Sequence, residues 1–157
     1  KRNFAGILAS AQGNPVAVLN HNKPEAYLIP ARHYEQLLSR LEDAEDRKLV
    51  LERSDGPFVE VSLNDYKLRF HEQALKEWKK LGATLQEQFK KKLAERLEQP
   101  RIPSAALSGM PDCYKIKLKA AGYRLVYRVE DDIVYVTVIA VGKRERSVVY
   151  GTAHSRM

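Results

Sequence analysis

The sequence has few of the residues that build disulfide or metal frameworks. Its 157 residues include one cysteine, Cys113, which excludes a disulfide within the chain. The four histidines, at positions 21, 33, 71 and 154, are scattered without the spacing of metal ligands. We therefore expect no metal, no cofactor and a reducing, cytoplasmic setting.

Long apolar segments are also missing. No run of apolar residues approaches the length of a membrane span, and the sequence shows no signal-peptide or lipidation pattern. A membrane surface is therefore not the expected partner of this chain.

Charge is abundant but unevenly divided. Residues 1–65 carry 8 Lys and Arg against 10 Asp and Glu, a net charge of −2, whereas residues 66–157 carry 19 against 10, a net charge of +9. The length and the 44% hydrophobic content suit two small domains with modest cores. A domain as basic as the second usually faces a polyanion, because each neutralised phosphate releases counterions. Nucleic acid is the first candidate.

The pattern of residues 1–65 predicts a small α/β module. A short helix ends at Gly13, and a hairpin joins strands at residues 16–19 and 27–29. A longer helix then runs from Tyr34 towards Leu51.

Two features near the end of this module suit a partner. The acidic run 42–46 is either solvated helix surface, which we favour near Glu42, or a counter-charge for a basic surface, which we favour further on. The alternating segment 58–63 predicts a strand that has no partner within its own module. Such a strand is expected to pair with another sheet.

Residues 66–157 predict an α+β domain. A strand at 66–70 precedes two amphipathic helices, of which the first ends at Gly82 and the second at Pro100. Thr84 and Glu87 have the spacing of a capping box at the start of the second helix. An antiparallel meander follows, with strands at residues 114–119, 123–129 and 133–140.

Basic side chains share one face of this predicted sheet. Alternation places Lys115, Lys117 and Lys119 together on the first strand of the meander, and Arg124 with Arg128 on the second. Ammonium groups this close repel one another unless an anion lies between them. The functional interpretation is a phosphate-binding face, and the structural alternative is a solvated edge strand.

A basic face of this kind can cleave RNA. The 2′-hydroxyl can attack its own phosphate if it loses a proton and the 5′-oxygen gains one. Cations stabilise the phosphorane, and a lysine among other cations loses its proton more readily. Neither a metal nor a protein nucleophile is required.

Four segments resemble RelE-type toxins, in one order and at one spacing over nearly all of residues 66–157. They are ALKEWKKLG (74–82), GMPDCYKIKL (109–118), GYRLVYRV (122–129) and VGKRERS (141–147). The resemblance implies a RelE-like, microbial-ribonuclease-like α+β fold. It also implies a metal-independent endoribonuclease, an mRNA interferase whose substrate is mRNA in the ribosomal A site.

The family's functional positions fall on cations and one tyrosine, namely Lys115, Lys117, Arg124, Arg144 and Tyr150. The resemblance implies that Lys117, with Lys115 or Tyr150, assists deprotonation of the 2′-hydroxyl, and that Arg124 stabilises the phosphate. Arg144 is expected mainly to stabilise the leaving oxygen, because a guanidinium pKa above ~12 makes a poor acid. Further RNA contacts are expected from Lys119, Arg128, Lys143 and Arg146.

The phrases NPVAVLNHNKPEAYLIPA and YEQLLSRLEDAED resemble Phd/YefM-like, RelB-labelled antitoxins across residues 3–65. Such antitoxins dimerise and bind operator DNA through their amino-terminal part and wrap the toxin with an acidic segment. The resemblance implies an antitoxin segment over residues 1–65 that lacks the family's first strand, with residues 42–65 as the wrapping part. The expected toxin contacts are Phe58, Val59, Val61 and Leu63.

Several functions stay open at this point. The leading hypothesis is a toxin endoribonuclease inhibited by the antitoxin segment, through strand addition and displacement of the tail that carries Tyr150. The alternatives are a DNA-binding autorepressor complex and a ParE-like gyrase inhibitor without nuclease activity. Toxin and antitoxin are ordinarily separate chains, so the junction favours two concatenated or engineered chains over a natural fusion, which would require a tight hairpin between Leu63 and Tyr66.

Overall fold

The structure is a computed structural model that describes residues 3–63, 66–130 and 135–143. The chain divides into two compact units, Lys1–Leu41 and Glu42–Met157. This division falls within one helix and not at the predicted junction near residue 65, so residues 42–63 belong to the same unit as the basic domain.

The first unit contains α1 (Phe4–Ser10), the hairpin of β1 (Val16–Asn20) and β2 (Lys23–Leu28), and the start of α2 (Ala31–Glu52). The hairpin turns at His21 and Asn22, whose positive φ angles of 48° and 61° are those of a tight hairpin turn. The predicted helix, hairpin and long helix are confirmed, although the second strand begins earlier than predicted.

The second unit contains the rest of α2, a five-stranded sheet and two further helices. Its remaining elements are β3 (Phe58–Leu63), β4 (Tyr66–His71), α3 (Glu72–Lys79), α4 (Ala83–Glu98), a 3-10 turn (Pro103–Ala105), β5 (Cys113–Leu118), β6 (Tyr123–Glu130) and β7 (Tyr135–Lys143). The sheet order is β3-β4-β7-β6-β5, with only the β4–β7 pair parallel. The predicted α+β class is confirmed.

A hydrophobic core fills the space between this sheet and the helices α3 and α4. Aromatic rings dominate it, with Phe70 and Trp78 5.6 Å apart and Trp78 and Phe89 6.2 Å apart between ring centroids. Tyr127 is fully buried there and donates its hydroxyl to the Pro100 carbonyl at 2.8 Å. Burial raises the pKa of Tyr127 to about 12, against an opposing effect of the Arg96 charge, so this phenol stays protonated.

A second, smaller cluster lies on the other sheet face. Val50 of α2 packs there with Leu107, Cys113, Val126, Ile139 and Ala140. The cluster attaches the carboxyl-terminal half of α2 to the sheet, and it buries the free thiol of Cys113. Burial also raises the pKa of the Cys113 thiol, partly offset by the Arg128 charge.

The predicted capping box is wrong. The helix α4 begins two residues earlier, with Gly82 as its N-cap and no side-chain cap, so Thr84 lies inside the first turn. Glu87 instead pairs with Lys90 at 2.8 Å. The Gln86 amide donates to the carbonyls of Trp78 and Leu81, and it thereby satisfies the end of α3.

The strand β3 lies at the edge of the sheet and pairs antiparallel with β4, in a register from Phe58 opposite His71 to Leu63 opposite Tyr66. The strand predicted over residues 58–63 is confirmed, and so is its pairing with another sheet. The pairing of Leu63 with Tyr66 agrees with the tight hairpin that a single chain requires.

Candidate active site

The strand register places the predicted basic residues on one sheet face. Lys115 pairs with Val126 and Lys117 with Arg124, while Tyr114 and Tyr127 form a stacked pair on the opposite, core-facing side. The face that carries Lys115 also carries Val126 of the smaller cluster, where α2 packs. Lys115, Lys117 and Arg124 of this face are covered by α2 from Glu42 onwards.

Acidic residues of α2 meet these cations directly. The Asp43 carboxylate accepts a short hydrogen bond from Nζ of Lys115, and both side chains are more than nine-tenths buried. Oδ1 of Asp46 accepts from Nε of Arg124 at 2.9 Å, with only 4% of the Asp46 side chain exposed. Each buried charge thus has an opposite partner, which is the condition under which buried charges are tolerated.

A third carboxylate extends this pairing. Glu42 lies 3.8 Å from Nζ of Lys117, and its side chain is 12% exposed. The prediction of ordinary solvated surface near Glu42 is therefore wrong, because the helix face that bears Asp43 also turns Glu42 towards the sheet. The favoured partner contact further along, at Asp46, is confirmed.

Arg124 reaches Asp46 past a glycine. Gly142 lies opposite Arg124 in the β6–β7 pair, and a Cβ atom on Gly142 would lie 3.3 Å from Nη1 of Arg124. A larger residue at this position would have to move the guanidinium. Gly142, in the VGKRERS segment, therefore leaves space for the Arg124 side chain.

The loop between Leu107 and Cys113 holds Asp43 from its other side. Oδ2 of Asp43 accepts from the Ser108 amide at 3.3 Å, while Nη1 of Arg47 donates to the Ser108 carbonyl at 2.7 Å. Arg47 also lies against Gly109, whose φ of 75° favours glycine. The segment GMPDCYKIKL therefore positions both a cation and the loop that contacts its acidic partner.

Burial raises the pKa of the Asp46 carboxyl above its ordinary value of 3.8, although the Arg124 and Lys115 charges act in the opposite direction. A carboxyl with a raised folded-state pKa binds its proton more tightly in the folded protein than in the unfolded one. Its contribution to the free energy of unfolding is therefore largest below 3.8 and falls as pH rises through the raised folded pKa.

This sign gives a testable pH dependence. We expect the free energy of unfolding of the wild type, relative to Asp46→Asn, to fall as pH is raised through the window that begins near 3.8. Urea denaturation from acid to neutral pH measures it, with Glu52→Gln, exposed on α2, as the matched control. A wild type that gained stability relative to Asp46→Asn over the same range would show that the ion pair outweighs burial.

A second ionic network joins the end of α2 to the far side of the sheet. Arg53 forms a two-point salt bridge with Glu77 of α3, at 2.7 and 3.1 Å, and also donates to the Ile139 carbonyl at 2.9 Å. Glu77 in turn accepts from the amide of Val141 at 2.9 Å. Arg53 therefore satisfies a carboxylate and a strand carbonyl of the basic domain at once.

The remaining predicted site residues are distributed as follows. Arg128 of β6 donates to Glu130 and to the Ser54 carbonyl. Lys119 follows the end of β5 and is exposed in the turn, so the strand face carries two lysines and not the predicted three. Lys143 is exposed at the end of β7. Arg144, Arg146 and Tyr150 lie outside the described residues.

Sequence reasoning indicated a counter-charge towards Asp46, but it missed Glu42 and did not show which cation each carboxylate meets. Asp43, Asp46 and Val50 recur at helical spacing, which is a signal that this helix face is covered. Nothing local indicated Arg53 with Glu77, or the role of His71, whose Nδ1 caps α3 by accepting from Gln73 at 3.1 Å.

Metal sites and membrane-spanning helices are both absent from the described residues. Among the described residues, no group of three or more His, Cys, Asp or Glu side chains could hold a metal ion. Within the same part of the chain, no helix has both the length and the apolar character that crossing a membrane requires.

Comparison with known proteins places this fold and basic face in a class. Residues 68–148, about half of the chain, match the family described as the ParE toxin of the type II toxin–antitoxin system parDE. The chain therefore belongs to this family of type II toxins.

Two curated proteins and a crystal structure narrow the comparison. The mRNA interferase toxin RelE of Escherichia coli K12 is 64% identical over 92 residues, which are 59% of this chain and 97% of that protein. The mRNA interferase RelE of Shigella flexneri has the same identity and coverage. The crystal structure of the isolated E. coli RelE toxin superposes with a TM-score of 0.52 at 64% identity, over 57% of this chain and 95% of that one. The basic domain is thus a RelE-family toxin segment.

Proposed function

We propose that residues 66–157 are a ribosome-dependent endoribonuclease that cleaves mRNA in the A site, and that residues 42–63 hold this toxin inactive. The observation that carries the proposal is the pairing of Lys115, Lys117 and Arg124 with three carboxylates of α2. Cations gathered on one face need an anion, and RNA phosphates are the anions that the toxin would otherwise bind. The identity to proteins named mRNA interferases supports RNA as the substrate.

The reaction would proceed by attack of the 2′-hydroxyl on the adjacent phosphate. Lys117, with Lys115 or Tyr150, would assist removal of the hydroxyl proton, and Arg124 would stabilise charge on the phosphorane. Arg144 would stabilise the leaving 5′-oxygen. This chemistry needs no metal, because the substrate supplies its own nucleophile.

Inhibition would follow from occupation of the same positions. While Asp43 and Asp46 accept from Lys115 and Arg124, a phosphate cannot take those hydrogen bonds without displacing α2. The addition of β3 to β4 fixes the segment next to this face through a row of backbone hydrogen bonds. Residues 1–65 would thus be the antitoxin segment, whose amino-terminal part would dimerise and bind operator DNA if it is complete.

Cleavage on programmed ribosomes tests the enzyme directly. We expect residues 66–157 alone to cut mRNA within the A-site codon, and a 2′-deoxynucleotide at the scissile position to abolish that cut without affecting others. An mRNA that differs only in this one oxygen is the matched control. Cleavage that persisted at the deoxynucleotide would exclude attack by the 2′-hydroxyl, and no cleavage of either mRNA would overturn the enzyme assignment.

A second candidate is inhibition of DNA gyrase, because the matching family is described by its ParE toxin. Inhibition of supercoiling by residues 66–157, without mRNA cleavage, would favour it. The three cations paired with carboxylates favour the nuclease, since stabilising a transferring phosphate uses such residues.

A further inference from the structure

The ring of Phe58, at the start of β3, lies against a pair of arginines. The guanidinium carbon of Arg69 is 4.8 Å from the ring centroid, and that of Arg128 is 5.5 Å away. Both distances are those of cation–π contacts. His71 adds an edge contact at 5.8 Å between ring centroids. The two arginines belong to β4 and β6. They therefore come from the toxin segment, residues 66–157, and not from the covering segment, residues 42–63.

A shared carboxylate holds the two arginines in place. One Glu130 oxygen accepts from Nη1 of Arg69 at 2.6 Å, and the other accepts from Nη2 of Arg128 at 2.5 Å. The three side chains together carry one net positive charge. A carboxylate at this position disfavours a phosphate, whereas a flat, neutral ring can stack on the guanidinium faces, as bases do in RNA-binding sites.

A buried hydroxyl lies between the two arginines. Thr137 of β7 pairs with Arg69 on one side and with Arg128 on the other, so the three side chains project from the same sheet face. Its Oγ1 is buried and has no hydrogen-bond partner among the described residues. A buried hydroxyl without a partner is uncommon, because it forfeits a hydrogen bond, and a ligand with polar edges would supply one.

The side chains around the Phe58 ring adjoin the proposed cleavage face. Arg128 pairs with Cys113, two residues before Lys115 on the same strand face, and Arg124 lies four residues before Arg128 on β6. Four residues of strand span about 13 Å, a distance that a few nucleotides can bridge. A ligand seated near Arg128 therefore belongs to the same extended surface as the cations paired with Asp43 and Asp46.

We propose that Arg69, Arg128, Glu130 and Thr137 form a nucleobase subsite of the toxin, and that the Phe58 ring occupies it in this chain. The inference rests on the proposed function, which makes RNA the substrate. It adds that the covering segment imitates RNA twice, with carboxylates at the phosphate positions and an aromatic ring at a base position.

Nucleoside binding by the full chain tests the subsite. Phe58→Ala should open the pocket, and Phe58→Val should remove the ring while keeping a side chain that suits a strand. The probe is adenosine, read by the side-chain Nε–H resonances of Arg69 and Arg128 in NMR titrations. We expect saturable shifts in the Phe58 variants, at least about fivefold larger than in the wild type at equal adenosine. Adding Arg128→Gln should weaken binding by between about twofold and about thirtyfold.

Matched controls make the result decisive. Leu51→Ala, which truncates an apolar side chain that is 66% exposed on α2, should leave the wild-type response unchanged. Ribose 5-phosphate should give no such shifts, and equal shifts with it would identify a phosphate site and overturn the proposal. Absence of saturable shifts in a folded Phe58 variant would overturn it as well, and Phe58→Val decides if Phe58→Ala does not fold. Adenosine binding without mRNA cleavage by residues 66–157 would support the subsite and contradict the proposed function alone.

Discussion

Replacing Arg124 with alanine in residues 66–157 is expected to lower the rate of mRNA cleavage by about 10²- to 10³-fold. In the full chain the Arg124 guanidinium donates a hydrogen bond of 2.9 Å to the Asp46 carboxylate. When α2 is absent, the same group is free to donate to a phosphate. Loss of one such donor removes charge stabilisation in the transition state without a substitute. Single-turnover cleavage on programmed ribosomes measures the effect.

Two variants control this result. Lys91→Ala removes an exposed lysine of α4, away from the strand pair that carries Arg124, and should leave the rate unchanged. Arg124→Lys keeps the charge but loses the forked geometry of the guanidinium, so we expect an intermediate rate. A folded Arg124→Ala protein with the wild-type rate would remove Arg124 from the reaction.

Reversing two charges in the covering segment is expected to activate the full chain. Asp43→Lys with Asp46→Lys would place ammonium groups against Lys115 and Arg124, in sites that are more than four-fifths buried. Like charges brought together at an interface cost several kcal/mol, and α2 should therefore leave the face. We expect cleavage on ribosomes to rise by about 10²-fold or more over the wild-type full chain, because a repulsion of several kcal/mol shifts the equilibrium for release of α2 by at least that factor.

The matched control is Glu52→Lys, the same kind of reversal at a carboxylate that is 54% exposed and lies 3.8 Å from Nζ of Lys48 on the same helix. Exposed pairs of this kind contribute little, so cleavage by this variant should equal that of the wild type. An equal gain from Glu52→Lys would point to general loosening of α2, and no gain from the double variant would contradict inhibition through these ion pairs.

Local patterns predicted most of this fold because the relevant signals are short-ranged. Alternation of apolar and charged residues placed Lys115 and Lys117 on one strand face, and helical spacing predicted the two amphipathic helices, whose residues Trp78 and Phe89 lie in the core. The edge strand 58–63 was also predictable, because its apolar and polar residues alternate and residues 1–65 offer it no strand to pair with. The capping box failed because a two-residue match occurs by chance, and the structure uses Gln86 for the neighbouring turn instead.

Which carboxylate pairs with which cation could not be predicted, because the partners are far apart in the chain. Asp43 and Lys115 are 72 residues apart, and Arg53 and Glu77 are 24 apart, so only tertiary packing brings each pair together. The resemblance to RelE toxins identified Lys115, Lys117 and Arg124, and Arg128 was expected to contact RNA. Nothing in the sequence indicated that Arg69, Arg128 and Glu130 lie together around Phe58. Charge pairs across elements depend on which helix covers the sheet, and local periodicity does not report that.

Cleavage by three lengths of the chain tests most directly whether residues 42–63 cover an RNA-cleaving face. Primer extension on programmed ribosomes would compare residues 66–157, residues 42–157 and residues 1–157 at equal concentration. We predict A-site cuts by residues 66–157 only, because residues 42–157 keep Asp43, Asp46 and β3 while lacking the first unit. Equal cleavage by residues 66–157 and 42–157 would contradict inhibition by residues 42–63.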